Sequence, residues 1–208
     1  MPFDDLRLVL ERARIAGFLG PGPVEPHIRH SEGFAAAAED ALDRPPTEFA
    51  DLGTGGGIPG LVLGVRWADS RGAFIETGQR RCAWLREAVQ ELGLGGSVSI
   101  VEDRAEAVGR TEDSREAFEL VTARSFAGPA VTAEIAAGLV RVGGVLVVSE
   151  PPDRDPDRWP SDGLQGLGFA PAQPVEVSGA HFVVVRKTES TPERFPRGIG
   201  RPTKRPIW

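Results

Sequence analysis

A chain of 208 residues, 40% of them hydrophobic, is long enough to bury one core, and its single cysteine, Cys82, excludes an internal disulfide framework. Arg7, Glu11, Arg12 and Arg14 break the first apolar stretch, so no signal peptide or membrane span is expected and the chain reads as cytoplasmic. A formal charge of −6 excludes nonspecific coating of nucleic acid by the whole body, yet Arg186 to Trp208 carries seven Lys/Arg against Glu189 and Glu193, net +5, leaving −11 on residues 1–185.

Helical spacing of Leu6, Leu8, Val9, Leu10, Ala13 and Ile15 predicts a helix over residues 4–17, stopped by Gly17 and Gly20. Gly20-Pro-Gly-Pro23 is a connector, and a second helix over residues 24–43 ends before Pro45-Pro46. From there strands and helices alternate. A strand ends at Asp51, glycine turns follow, and a helix starts near Ile58–Pro59. Next come strand 73–76, helix 79–92, strand 98–101, helix 105–108, strand 118–122, helix 130–140 and strand 145–148. Val175–Val177 and Phe182–Val185 form a hairpin around Ser178-Gly-Ala180. The expected α/β fold is a mostly parallel sheet with helices on both faces and a C-terminal antiparallel hairpin. An N-terminal helical segment (1–45) packs on a core domain (46–187), and a basic, Pro-rich tail (188–208) follows. Composition alone would leave that tail solvated and disordered.

Asp51-Leu-Gly-Thr-Gly-Gly-Gly-Ile-Pro-Gly60 lies between a strand end and a helix start, where glycines let the backbone turn tightly and approach a ligand. Read as Gly55-x-Gly57-x-x-Gly60, it also fits a dinucleotide fingerprint, a weak signal alone. Asp51 separates the two readings. A carboxylate at the head of the loop does not complement a diphosphate, whereas it pairs with the ammonium of S-adenosylmethionine, which has no phosphate. The fold is then the Rossmann-like, class I S-adenosylmethionine-dependent methyltransferase type, with five parallel strands closed by an antiparallel pair. Glu76 closes the second strand where a carboxylate takes ribose hydroxyls, and it serves either cofactor. For Asp103 two readings stay open: a partner for the adenine amino group, or a cap for the helix 105–108.

These segments resemble the bacterial small-subunit ribosomal RNA guanine-N7 methyltransferases called RsmG or GidB. The likeness runs from Asp51 through the Gly57-Ile-Pro-Gly60 variant of the loop and on through Glu76-Thr-Gly-Gln-Arg-Arg-Cys-Ala-Trp-Leu85. It continues at Val121-Thr-Ala-Arg-Ser-Phe-Ala127 and in the tail Thr191–Ile207, and Arg29-His30 matches an upstream Arg-His. The resemblance implies rRNA processing by methyl transfer, with small-subunit ribosomal RNA or the assembled subunit as partner and a monomeric protein. Guanine N7 carries an in-plane lone pair, so no general base, catalytic cysteine or metal is required; positioning and electrostatics suffice.

By resemblance, Asp51, Gly53, Thr54, Gly55, Gly57, Glu76, Thr77, Arg104, Ala105, Glu106 and Arg124 would hold cofactor. Arg124, at a strand end on the methyl-acceptor side, would also be the catalytic contact to RNA phosphate or guanine. Arg80 and Arg81 could face the same rim, and the basic tail would be an RNA-contacting arm. His27 and His30 share a helical face but lack further ligand spacing, so a metal is not expected. Cys82 and Trp84 are read as packing residues; Phe126 and Trp159 are candidates for stacking on a flipped guanine, with core packing favoured for Phe126.

The chain departs from the family in a shortened front end, in the loop Pro151–Trp159, and at Glu150, where the family carries a lysine facing RNA. A carboxylate beside a phosphodiester is expected to weaken RNA binding. Two alternatives follow: a diverged methyltransferase acting on a small molecule, and a non-catalytic cofactor-binding paralogue.

Overall fold

The computed structural model describes residues 2–208 except Arg154. Met1, in the expected N-terminal segment, and Arg154, in the loop after Glu150, lie outside the described residues. Two helices, α1 (Pro2–Ile15) and α2 (Glu25–Leu42), precede an alternation of strands and helices. It runs β1 (Glu48–Leu52), α3 (Gly60–Arg66), β2 (Arg71–Glu76), α4 (Gln79–Glu91), β3 (Val98–Glu102) and α5 (Ala105–Val108). It continues with β4 (Phe118–Ala123), α6 (Pro129–Ala137), β5 (Val140–Glu150), a 3-10 turn (Pro156–Arg158) and α7 (Ser161–Gln165). The hairpin β6 (Gln173–Val177) and β7 (Ala180–Arg186) precedes a last turn of helix, α8 (Arg201–Lys204).

The sheet order is β3-β2-β1-β4-β5-β7-β6. Pairings from β3 through β5 are parallel, and β7 pairs antiparallel with both β5 and β6. Two apolar layers explain why the central strands read as unbroken hydrophobic runs. Phe49, Phe74, Val145 and Val147 face one layer with α1 to α4, while Ala50, Ile75, Leu146 and Val148 face the other with α5, α6 and α7. Neighbouring residues on a strand point to opposite faces, so both sets are needed to cover the sheet.

Most boundaries shift by one to three residues from the sequence expectation, and the larger differences fall where α6 meets β5. The helix expected over 130–140 stops at Ala137, and Val140 already belongs to β5, which is longer than the expected 145–148. Every residue of α6 from Ala130 to Ala137 is buried, and the apolar run continues into the strand. Periodicity cannot divide a run buried on all sides. The turns Pro156–Arg158, α7 and α8 are too short to show a period at all.

α2 is seated by aromatic packing. A Cβ on Gly33 would lie 2.7 Å from the Phe182 ring, so only glycine lets that ring against the helix. Phe182 then packs 4.8 Å from Phe34 and 5.2 Å from His30, ring centre to ring centre. This contact fixes which face of α2, and hence which histidines, reaches the C-terminal ends of β4 and β5.

Candidate functional site

In a parallel sheet the crevice for a ligand opens beyond the C-terminal strand ends, where the strand order reverses. Here that point lies between β1 and β4, and two adjoining cavities flank it.

The first cavity, of about 570 Å³, sits beyond β1, β2 and β3. Gly53, Glu76, Thr77, Arg104, Ala105 and Glu106 line it, as does Asp103, with Ile75, Val131 and Ile135 as apolar walls. Asp51, Thr54, Gly55 and Gly57 do not line it; they build the loop beneath. Gly53 has φ +64, and a Cβ there would also lie 2.9 Å from the Phe126 ring. Glu76 is buried and accepts from the backbone N–H groups of Gly55 (3.0 Å), Thr77 (2.9 Å) and Gly78 (2.8 Å), so the carboxylate holds the loop in place. Arg81 lies 3.7 Å from it. Arg81 therefore lies on the side of the first cavity. Asp103 accepts from the N–H of Arg104 at 2.6 Å, while the cap position of α5 is Arg104, which makes no side-chain cap.

The Asp51 side chain is buried, with Oδ2 accepting from Gly60 N–H at 3.1 Å and Oδ1 from the Thr122 hydroxyl at 2.8 Å. Burial pushes its carboxyl up to about 7, against the pull of Thr122, Thr54, the Gly60 N–H and Arg124. Gly60 is required for this contact, since a Cβ there would lie 2.9 Å from Oδ2.

The second cavity, of about 430 Å³, sits beyond β4 and β5 and shares Phe126 and Ala127 with the first. His30, Arg124, Thr132, Glu150, Arg158 and Trp159 contribute to its wall. Ser125, with φ +52, turns the chain sharply after β4 and leaves Arg124 at the cavity. Arg124 Nη2 lies 2.8 Å from His27 Nδ1. Burial lowers the pKa of both His27 and His30, and Arg124 adds to the effect; His30 falls to about 4, so it is neutral at pH 7. The unprotonated His27 nitrogen therefore accepts from Arg124.

Glu150 does not stand open to solvent as a repulsive charge. Its side chain is 2% exposed, with Oε2 3.4 Å from Arg158 Nε and Oε1 accepting from the Trp159 indole at 3.3 Å. The lysine expected here from the resemblance is thus replaced by a carboxylate with an arginine over it. Nothing local in the sequence linked Glu150 to Arg158; the only hint was that both fall in the stretch unlike the family.

The tail is folded against the domain. Thr191, Phe195 and Pro202 are buried, Arg197 clasps the fully buried Glu134 of α6, and Gly200 N–H donates to Glu106 at 2.9 Å. Thr203 and Pro206 line the first cavity, a role with no sequence signal because they lie far along the chain from the rest of its wall, which ends at Ile135. Trp208 donates from its indole to the carbonyl of Arg158 at 3.2 Å. Of the seven cations from Arg186 onward, Lys187 and Arg197 are held internally by Glu116 and Glu134. Arg186, Arg194, Arg201, Lys204 and Arg205 are exposed. Among the described residues no helix is long and apolar enough to cross a membrane, and no group of three or more His, Cys, Asp or Glu could hold a metal.

The model of a family described as rRNA small subunit methyltransferase G matches residues 32–150. The chain is 33% identical over 185 residues to the ribosomal RNA small subunit methyltransferase G of Moorella thermoacetica, covering 80% of this chain and 72% of that one. It is 34% identical over 170 residues to the protein of the same name from Chloroflexus aggregans, covering 78% and 70%. Among solved structures, an O-methyltransferase from Bacillus cereus in complex with SAH superposes with a TM-score of 0.61 at 14% identity, covering 88% of this chain and 90% of that one. At that identity the likeness extends to the fold alone.

Proposed function

Since the chain belongs to the rRNA small subunit methyltransferase G family, we propose that it transfers a methyl group from S-adenosylmethionine to N7 of a guanine in small-subunit ribosomal RNA. It acts as a cytoplasmic monomer, on the RNA or on the assembled subunit. The observation that carries this reading is the pair of cavities that share Phe126 and Ala127 at the strand switch point. The first carries Glu76, Asp103 and Glu106 beside apolar walls, and the second carries Arg124 and Arg158 together with Glu150 and Trp159.

The first cavity suits the cofactor. Ile75, Val131 and Ile135 offer apolar faces to an adenine, and Glu76, Asp103 and Glu106 offer acceptors to its amino group and to ribose hydroxyls. Gly53, Thr77, Arg104 and Ala105 complete the cradle, with Asp51, Thr54, Gly55 and Gly57 in the loop beneath it. When bound, S-adenosylmethionine supplies an electrophilic methyl group on a sulfonium. The guanine N7 lone pair forms the new N–C bond as the C–S bond breaks, so the chain's residues need only align the two. Arg124, braced by His27, presents its guanidinium to the phosphate or the guanine. Arg201, Lys204 and Arg205 add cations beside the first cavity.

The direct test is to incubate the protein with labelled S-adenosylmethionine and small subunits lacking the modification, with naked RNA as control, and to map the label. One N7-methylated guanine is expected; no label on subunit or RNA would overturn the reading. RNA binding should fall with salt at a slope of about −0.7 to −0.9 in log units per phosphate contact. A turnover indifferent to salt would instead favour a small-molecule acceptor.

Cofactor affinity should also depend on pH through Asp51. Below about pH 7 its carboxyl is protonated in the free protein, whereas the cofactor's ammonium favours the ionised form. Affinity for S-adenosylhomocysteine, which keeps that ammonium, should weaken by up to about tenfold per unit as pH falls below 7. Folding stability moves the other way. A carboxyl raised on folding contributes fully below its unfolded value of about 3.9, and that contribution is lost as pH rises through 7. Calorimetric titration between pH 5.5 and 8.5 checks the first point. Asp51→Asn should flatten the profile, and a flat wild-type profile would rule Asp51 out.

A further inference from the structure

Among the described residues, three buried side-chain polar atoms have no hydrogen-bond partner: His30 Nδ1, Glu150 Oε2 and Arg158 Nε. All three residues line the second cavity. Orphaned buried polar atoms are uncommon, and each one calls for an explanation. Three gathered around one cavity mark it as shaped for a polar ligand that brings the missing partners. Glu150 Oε2 and Arg158 Nε lie 3.4 Å apart, so the charges attract without closing a hydrogen bond. The Trp159 indole holds Oε1, which fixes the orientation of the carboxylate. Arg158 is about one-third exposed and sits over the carboxylate, so it is the group free to swing aside.

We propose that Glu150 selects guanine, its carboxylate accepting from N1–H and the N2 amino group while the displaced Arg158 donates to O6. Guanine presents those groups in a row along one edge: one acceptor, then two donors. Adenine offers a single donor beside an acceptor on the same edge, and cytosine likewise has one donor. A base lifted out of its stack is read in this way, by hydrogen bonds to its Watson–Crick edge. N7 lies on the far side of the ring from the N2 amino group, so a base held by that edge keeps N7 free for the neighbouring cavity across Phe126 and Ala127.

The carboxylate also suits the reaction. As N7 gives up its lone pair, the ring becomes cationic and N1–H more acidic. A buried carboxylate on that hydrogen therefore binds more strongly in the transition state than in the ground state. A lysine at the same place would oppose the developing charge. This inference rests on reading the second cavity as the methyl-acceptor site.

The test needs no turnover. Protein loaded with S-adenosylhomocysteine is titrated with 5′-GMP, 5′-IMP and 5′-AMP, following chemical shifts. IMP keeps O6 and N1–H but lacks the N2 amino group. GMP should bind about tenfold or more tightly than IMP, with AMP weaker still, because a hydrogen bond to a charged group is at stake. Glu150→Gln should bring GMP and IMP to within about twofold of each other while affinity for S-adenosylhomocysteine is retained, which reports an intact fold. Equal wild-type affinities for GMP and IMP, an undiminished preference in Glu150→Gln, or no nucleotide binding would each overturn the proposal. Should Glu150→Gln fail to fold, the wild-type ratio still decides. Methylation of ribosomal subunits is assayed separately. Discrimination without methylation would sink the ribosomal reading and keep this one, and methylation without discrimination would do the reverse.

Discussion

Replacing Arg124 by alanine is expected to lower methyl transfer to small-subunit RNA by roughly a hundred- to a thousandfold, the usual cost of losing one preorganised donor at a reacting centre. Affinity for S-adenosylhomocysteine should stay within about twofold of wild type, because Arg124 lines the second cavity and not the first. The comparison belongs at pH 8. Arg124 helps keep Asp51 ionised, so its loss pushes the Asp51 carboxyl further up, and a pH above the wild-type value of about 7 limits that indirect effect on cofactor binding. Single-turnover rates and calorimetry provide the two readouts. Undiminished methylation in the variant would remove Arg124 from the acceptor site, and a parallel loss of cofactor affinity would make it a structural residue.

The largest expected effect on stability lies in the tail. Glu134 is fully buried in α6 and accepts from the backbone N–H of Arg197 at 2.8 Å and from its guanidinium Nε at 2.9 Å. Arg197→Met strands that carboxylate in an apolar layer. Breaking one partner of a buried pair typically costs about 3–5 kcal/mol, or roughly 10 °C in melting temperature for a chain of this size. The double variant Glu134→Met with Arg197→Met should recover much of the loss, since a matched apolar pair leaves no buried charge. Thermal unfolding of the three proteins checks this. A melting point within about 2 °C of wild type for the single variant would mean that the tail contributes little to folding.

The sheet was legible because its strands alternate with helices and carry β-branched runs bounded by glycines. The first cavity was legible for a related reason. Gly53, Glu76, Thr77, Arg104, Ala105 and Glu106 each lie at or just after the end of a strand, so sequence order alone brings them to one crevice. What stayed hidden depends on long-range closure. Thr203 and Pro206 reach that cavity only because Arg197 and Gly200 are tied to Glu134 and Glu106. The net charge from Arg186 onward suggested a free arm, whereas two of the seven cations there, Lys187 and Arg197, are held inside. Glu150 looked like a plain charge reversal. Its meaning depends on Arg158 and Trp159, eight and nine residues further on, folding back over it.

Residues 197–208 touch both cavities, with Thr203 and Pro206 in the wall of one and the Trp208 indole on the Arg158 carbonyl of the other. Substitutions on the two sides are therefore not independent. Changes at Thr203 and at Arg158 do not meet directly, yet one short strap carries the consequences of each to the other. A double-mutant cycle across them should give a non-zero interaction energy. Drift in cofactor contacts and drift in base contacts would then be tied together, so that each constrains which replacements the other tolerates.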